Sequence, residues 1–292
     1  STPASEPPSV EVTPALAEIV PDIADIAVEE RLGIAAQSVM LRRRKPHRSL
    51  LESAVKLQSA GAADVPLVDH EMVDEVFGEH VLAKAAGKTL SFDIWDTLLR
   101  RHCCPDETKL RSARAIWLKW SSQSEVVRQL HPADIFQLRR IAEAVVADEN
   151  FEYRVEDVAV QLAQWLDLPA KLFTDDFVTT ELLIEKSTVR PDPTTRYILD
   201  THVGRKVAIS DFYLSGDMLG DILKHSGLHS IDKVYASCDY IKTKRQGELY
   251  DFVADSEKER PSQFLHVGDR HDADVDKARQ AGFNAVHFLS PA

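Results

Sequence analysis

Five short β-rich runs constrain the fold of this chain more than any other feature. They are TLSFDIW (89–95), RKVAISDF (205–212), DKVYASC (232–238), QFLHVGD (263–269) and NAVHFL (284–289). Helical patterns separate the later ones: SGDMLGDILKHSG, GELYDFVADSEKE and DADVDKARQAGF. Strands that alternate with helices predict a parallel sheet covered by helices on both faces, a doubly wound α/β fold. In such sheets ligands gather beyond the carboxyl ends of the strands. One interval breaks the rhythm. More than a hundred residues separate the first two runs, and most of them have helical spacing: 107–130, 132–149, 155–168 and 175–187. A crossover needs far fewer residues, so the excess predicts an inserted helical cap over 101–190. The core is then expected at 88–100 and 191–292.

Ahead of the core, residues 1–13 carry three prolines and few large apolar groups, and are expected to be disordered. Residues 14–87 follow a helical pattern broken at Pro21 and closed at Gly87, which predicts a helical amino-terminal extension. Its basic run, Leu41–Ser49, has two readings: contact with phosphate or an anionic membrane, or a solvated turn between helices. The turn is the simpler reading. The opening segment is polar and proline-rich and shows no charged-then-apolar leader pattern. It begins with Ser, so the chain is expected to be processed, tagged or cut from something longer.

The chain has 292 residues, 44% of them hydrophobic, enough for a full core. With 47 acidic against 35 basic residues the formal net charge is -12, which argues against a dedicated nucleic-acid binder. No apolar run approaches the ~20 residues that span a bilayer. The three cysteines, Cys103, Cys104 and Cys238, have no metal-type spacing and suggest reduced thiols, hence a cytoplasmic location.

The last polar residues of the strands form a consistent set. Asp93 ends the first run, Ser210 the second and Asp269 the fourth, while Lys244 follows the third by six residues. All would project into one crevice, with Asp274 beside Asp269. A carboxylate, a hydroxyl, an ammonium and an acid pair suit phosphoryl transfer. Asp93 would attack phosphorus, Ser210 and Lys244 would hold phosphate oxygens, and Asp269 with Asp274 would bind magnesium. Arg101, at the cap hinge, is a second anion contact, and Asp211 would orient the phosphate-binding loop.

These motifs resemble the haloacid dehalogenase (HAD) superfamily of aspartate-nucleophile hydrolases. DIWDT (Asp93 to Thr97) matches its first motif, D-x-D-x-T. VAIS matches the second at Ser210, KTKRQGELY the Lys motif at Lys244, and HVGDRHDADV the acidic motif at Asp269 and Asp274. The likeness spans about 88–289, with the cap insertion in the place the superfamily uses. It implies a Rossmann-like HAD core, an aspartyl-phosphate intermediate, Mg2+ as cofactor, a Thr97 contact to phosphate, and a metal bond from the Trp95 backbone carbonyl. The wording FDIWDTLLRR and ISDFYLS, with cap fragments RRIAE and ELLIEKSTVRPDP, resembles a bacterial subgroup associated with surface polysaccharide assembly. That association implies a small phosphorylated substrate such as a sugar phosphate, and a glycosyltransferase as partner.

Trp95 departs from the pattern. The superfamily's phosphatases carry an Asp there as general acid, and an indole cannot protonate a leaving oxygen. Asp96 is one position too far along, unless the chain has already turned out of the strand. Three readings follow: substrates with good leaving groups, a proton from His102, Glu143 or Glu181 of the cap, or a catalytically weak interaction module. Halide removal is a further alternative, because dehalogenases also carry an aromatic at this position; the paired acids speak against it. Trp117 and Trp120 would stack on a sugar or, more simply, pack in the core. His271 would touch substrate or metal, or be a solvated loop histidine.

Overall fold

A computed structural model describes residues 70–289. The expectations for 1–13, for the basic run Leu41–Ser49 and for most of the 14–87 extension lie outside the described residues. From residue 70 the chain runs through a helix, α1 (His70–Ala85), which ends before Gly87 as its pattern predicts.

The core is a five-stranded sheet of β1 (Thr89–Phe92), β4 (Lys206–Ser210), β5 (Lys233–Ala236), β6 (Phe264–Gly268) and β7 (Asn284–His287). Its order is β5-β4-β1-β6-β7 and every pairing is parallel. All five strands fall in the five β-rich runs. The three central strands are buried at nearly every position, because helices cover both faces of a parallel sheet. That explains their continuous apolar character: β1 reads TLSF, β4 KVAIS and β6 FLHVG. Phe92 and Leu90 of β1 and Val207 and Ile209 of β4 are fully buried, each contributing about 1.5–3 kcal/mol relative to exposure. The polar exceptions are paired across strands: Ser91 Oγ lies 2.9 Å from His266 Nδ1 at directly opposed positions.

The order places β1 between strands reached in opposite senses, β4 on one side and β6 on the other. A crevice therefore opens beyond the carboxyl end of β1. There the strand stops earlier than its apolar run suggests. The Ile94 carbonyl accepts both the Leu98 and Leu99 N–H groups (3.0 and 2.8 Å), and Asp96 takes φ +60°. Asp96 is exposed, so the chain has turned out of the sheet and carried that carboxylate to solvent.

Between β1 and β4 lie the helices α2 (Pro105–Trp120), α3 (Glu125–Gln129), α4 (Pro132–Val146), α5 (Val155–Trp165) and α6 (Ala170–Thr188). Two strands absent from the sequence expectation frame them: β2 (Leu99–Arg101) and β3 (Val189–Pro191), paired antiparallel. This short ribbon brings the chain back to where it left. Asp192 closes the joint: it pairs with Arg100 at 2.5 Å and accepts the Thr194 and Thr195 N–H groups (3.0 Å each) at the start of α7 (Pro193–Thr201). Thr195 Oγ1 then donates to the Thr97 carbonyl at 3.0 Å. Trp120 is buried, edge-on to Phe173, and Trp117 Nε1 donates to the Leu130 carbonyl at 2.7 Å. Both serve the packing of the helices.

Candidate active site

Four loops converge beyond the strand ends. Asp93 follows β1 directly, and its N–H donates to the Val267 carbonyl of β6 at 2.9 Å, fixing the side chain over the crevice. Thr97 Oγ1 lies 3.5 Å from Asp93 Oδ2 and is fully buried. Ser210 ends β4; its Oγ is buried and has no hydrogen-bond partner among the described residues. Asp211, the next residue, accepts the backbone N–H groups of Lys244 (2.7 Å) and Arg245 (3.3 Å), tying this loop to the one after β5. The buried Lys244 Nζ donates to Asp93 and, at 2.7 Å, to Asp274.

Asp269 and Asp274 follow β6. They are five residues apart, and a π-helical turn over His271–Asp276 takes up that spacing. Asp274 is fully buried, accepts the Arg270 N–H at 2.9 Å, and lies 3.5 Å from His266 Nε2. Gly268 makes the close approach possible, since a Cβ there would fall within 2.4–2.6 Å of the Asp274 side chain. Asp93, Asp269 and Asp274 each offer one oxygen, all within 4.8 Å of one another.

Burial raises the Asp93 carboxyl well above its usual value; Lys244 pulls it down, while Asp274 and Asp269 add to the rise. Burial also penalises Asp274, but Lys244 and then His266 outweigh it and hold this carboxyl well below the usual range. Lys244 is held well above the ordinary ammonium value, because Asp274 and Asp93 overcome its desolvation. Three carboxylates against one ammonium leave two formal negative charges, matching one divalent cation. The donor set fits magnesium: hard carboxylate oxygens, grouped closely.

Trp95 is 9% exposed, and its indole N–H is buried without a partner. The ring centroid lies 4.6 Å from that of Phe212 and 3.6 Å from the Arg101 guanidinium carbon. Arg101 directs Nε and Nη2 to Glu185 (3.2 and 3.3 Å). Of the cap acids, Glu181 is held by both Nη atoms of Arg139 (2.5 and 2.8 Å), and Glu143 bonds Lys109 and Arg139 (2.8 Å each). Burial raises Glu143, but Lys109 and Arg139 bring it below its usual value. His102 is exposed and donates its N–H to the Thr188 carbonyl. His271 is exposed and lies 3.1 Å from Asp276.

Residues to which the motifs gave no role support the site. His266 and Tyr250, whose hydroxyl donates to the Ala273 carbonyl at 2.9 Å, brace the acidic loop from below. Glu152, between α4 and α5, accepts from Ser237 Oγ, which in turn accepts the Phe212 N–H at 3.0 Å. A histidine inside an apolar strand just before Gly-Asp was a usable signal; nothing local marked Glu152. Burial pushes the Glu152 carboxyl up to about 7, against its bond to Ser237. The native state therefore keeps a proton that the unfolded chain releases near pH 4.5. Stability from this group is present below that value and lost as pH rises to about 7. In chemical denaturation at about pH 5 and about pH 8, Glu152→Gln is expected to flatten the fall seen in the native chain.

The described residues have the fold of the haloacid dehalogenase superfamily. A 2-haloacid dehalogenase from Pseudomonas syringae pv. Tomato DC3000 superposes with a TM-score of 0.50 at 17% identity, covering 69% of this chain and 86% of that one. A HAD phosphatase from Thermococcus onnurineus gives 0.42 at 17%, covering 69% and 86%. The L-2-haloacid dehalogenase of Xanthobacter autotrophicus gives 0.43 at 18%, covering 70% and 78%. At such identities the likeness speaks to the fold, and only the first carries weight. No family model and no curated protein sequence matches the chain. No helix among the described residues is long and apolar enough to cross a membrane.

Proposed function

We infer that this protein is a magnesium-dependent phosphohydrolase acting through an aspartyl-phosphate intermediate on a small phosphorylated metabolite. The observation that carries this reading is the meeting of Asp93, Asp269 and Asp274 around one point, with Lys244 on two of them. Asp93, Asp269, Asp274 and the Trp95 backbone carbonyl are the proposed magnesium ligands. When bound, the ion offsets repulsion between an anionic nucleophile and an anionic ester.

Asp93 attacks phosphorus, and Lys244 lowers the cost of keeping that buried carboxylate ionised. The Ser210 hydroxyl, unpartnered among the described residues, donates to a phosphoryl oxygen. Thr97 contacts the phosphate, and Asp211 keeps the Ser210 and Lys244 loops in register. Arg101, held on Glu185, closes the cap side of the crevice. Water then attacks phosphorus, and Asp93 is restored. The cap selects the substrate and excludes bulk water; sugar phosphates and intermediates of polysaccharide assembly are the first metabolites to screen.

The test is release of phosphate from acetyl phosphate and p-nitrophenyl phosphate with magnesium and after EDTA. Magnesium-dependent turnover is expected, with labelled phosphate trapped on Asp93 after acid quench. EDTA-resistant chloride release from 2-chloropropionate would replace this reading with dehalogenation. No turnover of any of these compounds would favour an interaction module, such as one that docks a glycosyltransferase.

A further inference from the structure

We propose that the substrate is a phosphoric anhydride, of the acyl phosphate or pyrophosphate kind, and that the Trp95 indole N–H receives its departing oxygen anion. This rests on the phosphohydrolase reading and names the chemical class it would take.

The first argument is the state of the candidate proton donors: Asp96, the cap groups and Glu152. Asp96 has been turned out to solvent. Glu181 and Glu143 are tied to Arg139 and Lys109, and Glu143 is held ionised. His102 is exposed beside Thr188. Glu152 is tied to Ser237 beneath the Phe212 N–H. None presents a proton at the position two residues beyond the nucleophile. An alkyl ester releases a strongly basic alkoxide and needs one; general acid catalysis is worth about 10²–10⁴ in rate there. A carboxylate or phosphate leaving group is stable as an anion and does not.

The second argument is the indole itself. A buried N–H without an acceptor costs about 1–3 kcal/mol, so a ligand that supplies one is favoured. Trp95 Nε1 is such a donor, two residues past Asp93 with its ring against Phe212, and among the described residues Ser210 Oγ is another buried group without a partner. The two divide the work: Ser210 on a phosphoryl oxygen, Trp95 on the leaving oxygen. Arg101 and Phe212 pack against the indole and fix its orientation, so they are positioning residues. The indole donates a hydrogen bond and keeps its proton.

The bonds balance without an acid. Asp93 Oδ forms a bond to phosphorus as the bond to the acyl oxygen breaks, and that oxygen leaves with the electron pair as a carboxylate. Water then bonds to phosphorus as the bond to Asp93 Oδ breaks. The products are a carboxylate and dihydrogen phosphate, which carries both hydrogens of the water.

The experiment measures kcat/KM of the magnesium-loaded full chain on acetyl, p-nitrophenyl, phenyl and ethyl phosphate. Native chain, Trp95→Phe, Trp95→Asp and Asp93→Asn are compared. The native rate is expected to fall steeply along that series. Trp95→Phe, which keeps the ring packing, should lose about 10-fold on acetyl phosphate with little change in Tm, as for one lost hydrogen bond. Trp95→Asp should gain about 10²-fold on phenyl and ethyl phosphate. A flat native series, or Trp95→Phe as fast as native on acetyl phosphate, overturns the inference while leaving an Asp93-dependent hydrolase in place. Turnover that survives in Asp93→Asn, or no turnover on any member, overturns the hydrolase reading itself.

Discussion

Asp93→Asn is expected to lower kcat on any phosphorylated substrate by about 10⁴-fold or more, since no other group replaces a lost nucleophile. The fold should tolerate the change. An amide fills the same volume, and Lys244 keeps Asp274 at 2.7 Å. Burial and the charges of Asp274 and Asp269 already press Asp93 toward its neutral form, so neutralising it also relieves repulsion. Thermal melts without magnesium should therefore show a Tm within a few degrees of native. Isotopically labelled phosphate should no longer be trapped on the protein. A variant that keeps a tenth of native turnover would remove Asp93 from the chemistry.

The sheet was legible because its central strands are buried on both faces, so apolar composition alone marked them. The positions of Asp93, Ser210 and Asp269 could be read for a related reason: a strand fixes where the residue that ends it must lie. The ribbon of β2 and β3 was not, because three residues such as Leu99–Arg101 carry no pattern and take their structure from pairing with a segment some ninety positions away. The early end of β1 was also hidden. Ile94 and Trp95 suit a strand, and the two hydrogen bonds to the Ile94 carbonyl, not propensity, turn the chain. Nor did spacing in the acidic motif show how acids five residues apart would meet; a π-helical turn does this. Cap helices were visible through their periodicity, but the chemistry inside was not. Arg139, Glu181 and Glu185 lie far apart in sequence with nothing local to pair them, yet all three are buried.

That buried cluster carries the largest expected effect on stability. Arg139 on α4 is 1% exposed and bonds Glu181 of α6 through both Nη atoms and Glu143 through Nε. Tyr213, three residues past Ser210 in the core, donates to Glu181 at 3.2 Å and approaches Glu185 at 3.5 Å. Arg101 completes the pairing of Glu185. The cap helices and the loop after β4 thus share one hydrogen-bonded set of charged and hydroxyl groups. Arg139→Ala leaves Glu181 buried with a hydroxyl as its remaining partner, and should cost about 3–5 kcal/mol in chemical denaturation near neutral pH. Adding Glu181→Met to Arg139→Ala should recover much of the loss, since an apolar pair needs no charge compensation. If Arg139→Ala costs under about 1 kcal/mol, the cluster is not what clamps the cap to the core.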